Sequence, residues 1–348
     1  MKAKSGLFLA AAMAFVTLLN ACAEQADECP TMQLACPIAV IEELSDSTFL
    51  QNGPKLKAYG DKIYISECYN QEARIIRLDS AFNVELSFGH KGRGPGEFIW
   101  LSFVTVEDDT IYALDVAAPK INQYTLDGKF IKSIVFPEHQ TEMWSNIIVD
   151  SKKRICYSLY GEQQPIHIWN PNSGEPEISF GSLNPECKGI TLDNEDYCFV
   201  KKDDRSFFAV CKYRPLVLEY DYAGRLLNRI DFSHSKYFKN ALIEAEECIR
   251  KNDGSHRLFF DDACMVNDKL YLLTTDIKED EPINTLFVVD TENDNLNLVN
   301  YIVLGNCKKE VWYDHFCISN NKIIAFDGIS SALHIYDMRQ MTLKNDAE

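Results

Sequence analysis

Positive charge is scarce in this sequence: 35 Lys and Arg face 52 Asp and Glu, for a formal net charge of −17. Such an acidic body repels phosphate backbones and anionic headgroups, which argues against nucleic acid as a partner. Long apolar runs are missing beyond the first twenty residues, and none approaches the 18 or so needed to cross a bilayer. No two cysteines have C-x2-C spacing, and neither a Gly-x-Ser-x-Gly elbow nor a His-Glu-x-x-His helix occurs. Helical periodicity is nearly absent as well. Its one trace is 237–249, where Phe238, Leu242, Ile243, Ala245 and Ile249 recur at helical spacing.

The N-terminus carries the first positive signal. Lys2 and Lys4 precede an unbroken small and apolar run from Leu7 to Leu19. As a helix this run would rise only about 20 Å, too short for an anchor and suited to the h-region of a secretory signal. Leu19-Asn20-Ala21-Cys22 then resembles the lipobox of bacterial lipoproteins. That resemblance implies a signal peptide over 1–21 and a lipid on Cys22 that holds the chain to a membrane leaflet. The expected address is the outer membrane, facing the periplasm or the cell surface. Residues 22–37, with Glu24, Asp27 and Glu28, read as an acidic tether, and losing Lys2 and Lys4 takes the net charge from −17 to −19.

Twelve cysteines are many for an exported chain. With Cys22 lipidated an odd number remains, so not all can pair internally. Cys29 and Cys36 flank the tether and can bridge in an oxidising compartment. Cys156, Cys211, Cys264 and Cys317 lie inside apolar strand patterns and read as small buried hydrophobes.

The main signal is a repeat. Asp61-Lys-Ile-Tyr64-Ile leads through Arg74–Asp79 to Val84-Glu-Leu-Ser-Phe-Gly89. Asp109-Thr-Ile-Tyr112-Ala leads through Lys120–Gly128 to Phe130-Ile-Lys-Ser-Ile134. In both copies Tyr and Asp stand 15 apart, and the copies are offset by 48. Fainter copies begin at Arg154, Ser206, Lys269 and Lys322, which makes six units. Each reads as short β-branched and aromatic strands separated by turns such as Asp127-Gly128, Asn172-Ser173-Gly174 and Asn320-Asn321. One small sheet cannot bury both faces alone, so six of them are expected to pack around an axis. The fold class is therefore all-β: a six-bladed β-propeller of four-stranded antiparallel blades over 38–348. Ile38-Ala39-Val40-Ile41 lies outside the six units. It is expected to fasten the last blade, whose outer strand comes either from it or from 340–344.

Gly89-His-Lys-Gly92-Arg-Gly94-Pro95-Gly96-Glu97-Phe98, with Ile111-Tyr112, Ile121–Tyr124 and Asp127-Gly128, resembles an NHL-type repeat. More narrowly, Gly92–Phe98 is similar to a signature of the six-bladed β-propeller lipoproteins of Bacteroidetes. The resemblance implies a fold and an envelope location, and brings no activity. Pro95 removes an amide donor from the glycine-rich loop and a strand follows it, so the loop reads as a link between blades rather than a phosphate cradle.

Propeller ligands sit at one mouth of the central channel. Aligning the units places Ser102, Asn146, Asp261, Asp262, Asp314 and His315 towards a common pocket, with Arg93, Trp100, Trp144 and Trp312 near its rim. Two functions follow from different classes. One is an envelope binding module for a glycan, a peptide or a partner protein. The other is a metal-dependent hydrolase or lyase that uses Asp261, Asp262, Asp314 and His315 around a calcium or zinc ion, since six-bladed relatives in the broad sense include calcium-dependent lactonases and a zinc-dependent lyase. The binding module is the leading expectation.

Overall fold

The computed structural model describes residues 30–343, apart from 52, 70–71, 137–145, 160–161, 174–175, 182–195, 252–256, 275–283, 293–295 and 306–310. Cys22, Cys29 and Trp144 therefore lie outside the described residues. Residues from Thr31 onward form one compact unit.

Six four-stranded antiparallel blades make up this unit, each matching one repeat of the sequence. Their innermost strands are Lys55–Tyr59, Leu101–Glu107, Ile148–Val149, Tyr197–Lys201, Asp262–Val266 and Tyr313–Ser319. Each of these strands touches the next, and the sixth touches the first, so the ring is closed. The second strand of each blade is buried on both faces, as in Ile155–Ser158 and Ser206–Cys211. Outer strands such as Val84–Phe88 and Leu226–Asp231 alternate between exposed and half-buried positions. The pattern follows from radial position: inner strands have neighbouring blades on both sides, and outer strands splay into water.

The core is correspondingly divided. Six hydrophobic clusters occupy the six gaps between adjacent blades, including one that joins Ile63, Ile65 and Ile76 of blade 1 to Ile324, Phe326 and Leu333 of blade 6. Each fully buried aliphatic or aromatic side chain there contributes about 1.5–3 kcal/mol through removal from water. Three of the turns between first and second strands use left-handed pairs: Asp108-Asp109, Asn267-Asp268 and Asn320-Asn321 all have positive φ. Asn and Asp tolerate that conformation, which matches the twist of the strands they join.

The ring is fastened by the N-terminus. Ala39–Ile41 pairs antiparallel with Ala332–Asp337 as the outermost strand of blade 6, which is the first of the two arrangements the sequence allowed. The C-terminal Thr342–Leu343 goes elsewhere. It pairs with Thr31–Ala35, which itself runs parallel to Asn297–Leu304 at the edge of blade 5. Thr31–Ala35 is thus a strand inside the stretch read from sequence as tether. The segment is short and is cut off by Cys36-Pro37, which hides it from pattern reading. Cys36 is disulfide-bonded, with its partner outside the described residues. Cys156, Cys211 and Cys317 are buried thiols, as expected, and Cys264 is half-buried.

The expected helix is present. A short 3-10 turn, Lys236–Phe238, runs into helix α1, Lys239–Lys251, between blades 4 and 5. Phe238 and Ala241 are buried in the core between those two blades.

The glycine-rich loop links blades 1 and 2. His90–Lys91 pairs in parallel with Glu97–Phe98. The loop wraps around its own carboxylate: the Gly94 N–H donates to Glu97 Oε2 at 2.7 Å, and His90 Nε2 lies 2.9 Å from Glu97 Oε1. A Cβ on Gly92 would stand 2.0 Å from Glu97 Oε2. These glycines hold an anion that the chain itself supplies.

Candidate functional site

A cavity of about 680 Å³ opens where the innermost strands begin. Its lining includes Lys55 of blade 1, Ser102 of blade 2, Lys212 of blade 4, Asp261 of blade 5, and Asp314 and His315 of blade 6. In every contributing blade these positions lie at the start of the first strand or the end of the second. The cavity is therefore one mouth of the channel. Near the other end, the Lys201 ammonium donates to Glu107 at 2.7 Å, from blade 4 to blade 2 past the two-residue inner strand of blade 3.

Strand register places one residue of each inner strand at an equivalent height. Lys55, Phe103, Cys198, Asp262 and His315 all pair with the fourth residue of a repeated second-strand pattern: Ile63–Ser66, Ile111–Leu114, Phe207–Val210, Leu270–Leu273 and Ile323–Phe326. Asn146 completes the layer from blade 3. Its amide donates to the Phe199 carbonyl at 2.9 Å and accepts from the Phe199 N–H at 2.8 Å. Contacts run round this layer: Asn146 to Cys198 at 3.5 Å, Cys198 to Asp262 at 3.8 Å, and His315 Nδ1 to Asp262 Oδ2 at 3.4 Å. Lys55 stands 5.8 Å above the Phe103 ring. A girdle of unlike side chains therefore encircles the axis just inside the mouth.

Charge within the site is mixed. Lys212 donates to Asp196 at 2.6 Å, and both side chains are buried. Burial pulls the Lys212 ammonium down, but contact with Asp196 outweighs it and the pKa is raised. Lys55 is different. It is half-buried, and desolvation, reinforced by the Lys212 charge, brings its pKa to about 8 against the partial opposition of Asp262 and Asp196. Burial, and then Asp262, push the Cys198 thiol up to about 12, so it stays protonated and unreactive at neutral pH.

The rim is aromatic. Trp100 is 41% exposed and Trp312 37% exposed. Both are fixed in the same way, by a buried aspartate at the end of the second strand. Asp115 accepts from the N–H groups of Ile99, Trp100 and Ala118, at 2.8, 2.9 and 3.1 Å. Asp327 accepts from those of Trp312, Ile329 and Ser330, at 2.8, 3.2 and 3.2 Å. Trp312 Nε1 also donates to Asp314 Oδ1 at 2.6 Å.

Of the residues picked from sequence, Ser102, Asp261, Asp314, His315, Trp100 and Trp312 line this one cavity. Asn146 and Asp262 sit in the girdle beside it and are taken up in structure; Asp262 accepts from the N–H groups of Ala263 and Phe316. Arg93 is exposed on the glycine-rich loop and is not among the residues lining the cavity. Lys55, Lys212 and Asp196 escaped sequence reading. A lysine at a strand start looks like any solvated residue, and only alignment of Lys55 with His315 across blades would have exposed it. Among the described residues no three His, Cys, Asp or Glu side chains are grouped to hold a metal ion.

A model of the family described as "6-bladed beta-propeller" (DUF5128) matches residues 41–233. The chain belongs to this six-bladed β-propeller family. No curated protein sequence matches it. Among solved structures, an exported protein from Bacteroides fragilis is 12% identical with a TM-score of 0.54, covering 90% of this chain and all of its own. A member of the duf4221 family from Bacteroides vulgatus is 10% identical with a TM-score of 0.56, covering 91% of this chain and 98% of its own. At such identity these likenesses speak to the fold alone.

Proposed function

We propose that this family member is a cell-envelope binding protein that admits part of a glycan or peptide ligand to the mouth cavity. On this reading residues 1–21 are removed and a lipid on Cys22 tethers the ring to the outer membrane. The observation that carries the binding role is the cavity of about 680 Å³ with two partly exposed tryptophans at its edge and polar side chains from five blades inside. Flat aromatic faces at an opening, with oriented polar groups below, suit a ligand that has one planar side and several hydrogen-bonding groups. A metal-dependent reaction gains less support. Asp262 is engaged by backbone N–H groups and Asp314 by an indole, so two of the four expected ligands already have other partners.

The test is a thermal-shift screen of envelope oligosaccharides and peptides on the mature protein, repeated on a Trp100→Ala/Trp312→Ala variant. A ligand present at about 100 times its Kd stabilises by about 2.7 kcal/mol, so binders raise the melting temperature. The expected result is hits on the parent protein that vanish in the variant. Hits that persist undiminished in the variant would place binding elsewhere on the molecule.

A further inference from the structure

Resting on that reading, we infer that the inner end of the ligand is a carboxylate, received by Lys55 with His315 and Ser102 beside it. Three observations converge. Lys55 lines the cavity from the girdle layer, at the position equivalent to His315 in the adjoining blade. A second cation, Lys212, opens onto the same cavity from blade 4 and lies close enough to oppose the Lys55 charge. The acids that share the cavity are partly committed: Asp196 accepts from Lys212 and the Tyr197 N–H and Asp314 from the Trp312 indole, while Asp261 also lines it and Asp262, in the girdle, accepts from backbone N–H groups.

A carboxylate entering between the two lysines relieves their mutual repulsion and replaces water that burial has removed from Lys55. The desolvated setting makes that contact stronger than its equivalent at an open surface. With the acid group inside, the ligand body lies back towards Trp100 and Trp312. Both an acidic sugar and a peptide C-terminus offer this chemistry.

Isothermal titration with two matched pairs separates them: galacturonate against galactose, and N-acetyl-alanine against its amide. In at least one pair the acid is expected to bind about tenfold tighter than its neutral partner, a difference of about 1.4 kcal/mol. The pair that shows it names the source. Lys55→Met should abolish the preference and Lys55→Arg should keep it. Raising the pH from about 7 to about 9.5 should weaken acid binding to the parent protein but not to Lys55→Arg, whose guanidinium stays charged. Equal binding of acid and neutral partners, or a preference that survives in Lys55→Met, overturns the carboxylate site while leaving the binding role intact. No binding by either acid at millimolar concentration also overturns it, and the binding role is then judged by the tryptophan variant alone.

Discussion

Two side chains show how single residues divide between fold and function. Asp327 is buried and holds the start of blade 6 through the N–H groups of Trp312, Ile329 and Ser330. Burial alone would raise its pKa, but these hydrogen bonds, with that of the Ser330 hydroxyl, outweigh it and keep it below the usual carboxylate value. A depressed carboxylate stabilises above its unfolded pKa, and that contribution drains away as the pH falls through the folded value. Asp327→Ala should therefore cost about 1–3 kcal/mol at neutral pH by leaving buried donors unpaired, and the gap to the parent should narrow below about pH 4. Urea unfolding at several pH values checks both parts. Lys55 runs the other way. Its folded pKa of about 8 lies below the ordinary lysine value, so the folded state binds fewer protons between those limits. Its charge thus destabilises fully below about pH 8, and the penalty fades as the pH rises towards about 10.5. Lys55→Met is expected to stabilise the protein by about 2 kcal/mol near pH 7 and to converge on the parent above about pH 10. A residue that weakens the fold while facing a cavity is a candidate for function.

Elements account for what was legible in the sequence. The six second strands carry near-continuous apolar runs, because they are buried on both faces, and this is why the unit count could be read. His315, Asp314 and Ser102 were found because they follow the same repeat into the mouth. Lys55 was missed because its neighbours Lys57 and Lys62 make it look like part of a solvated strand. Thr31–Ala35 was missed because a strand added at a blade edge needs only five ordinary residues and no periodic signal of its own. The glycine-rich loop was read correctly as a connector, but Glu97 as its internal anion was not visible before folding. Gly92→Ala should cost about 1–3 kcal/mol, since its methyl group would displace the Glu97 carboxylate, and Glu97→Ala in the same chain should return part of that loss. A double-mutant cycle in chemical denaturation measures the coupling. The N-terminal fastener is testable as an element too. A chain beginning at Glu42 lacks both N-terminal strands and leaves blade 6 with three. It should lose several kcal/mol and aggregate through the exposed edge of Ala332–Asp337. Light scattering during thermal unfolding records both effects.

At the scale of the whole molecule, closure explains why a site exists at one mouth. Six interblade cores hold the inner strands in a ring, and their equivalent positions must then face a shared axis whatever residues occupy them. Side chains in a repeat that serve packing alone tend towards likeness. Here the six positions are Lys, Phe, Asn, Cys, Asp and His, which breaks the symmetry where a ligand would be oriented. Blade 3 illustrates the division of labour: its inner strand is the shortest, and its girdle residue, Asn146, is spent on blade 4. The opening is left to the other five blades. A crystallographic fragment screen puts this most directly to the test. Small planar compounds should collect between Trp100 and Trp312, with acidic ones directing their carboxylates at Lys55. Fragments that cluster elsewhere on the ring while the mouth holds only water would show that this opening is a by-product of closure and not a binding site.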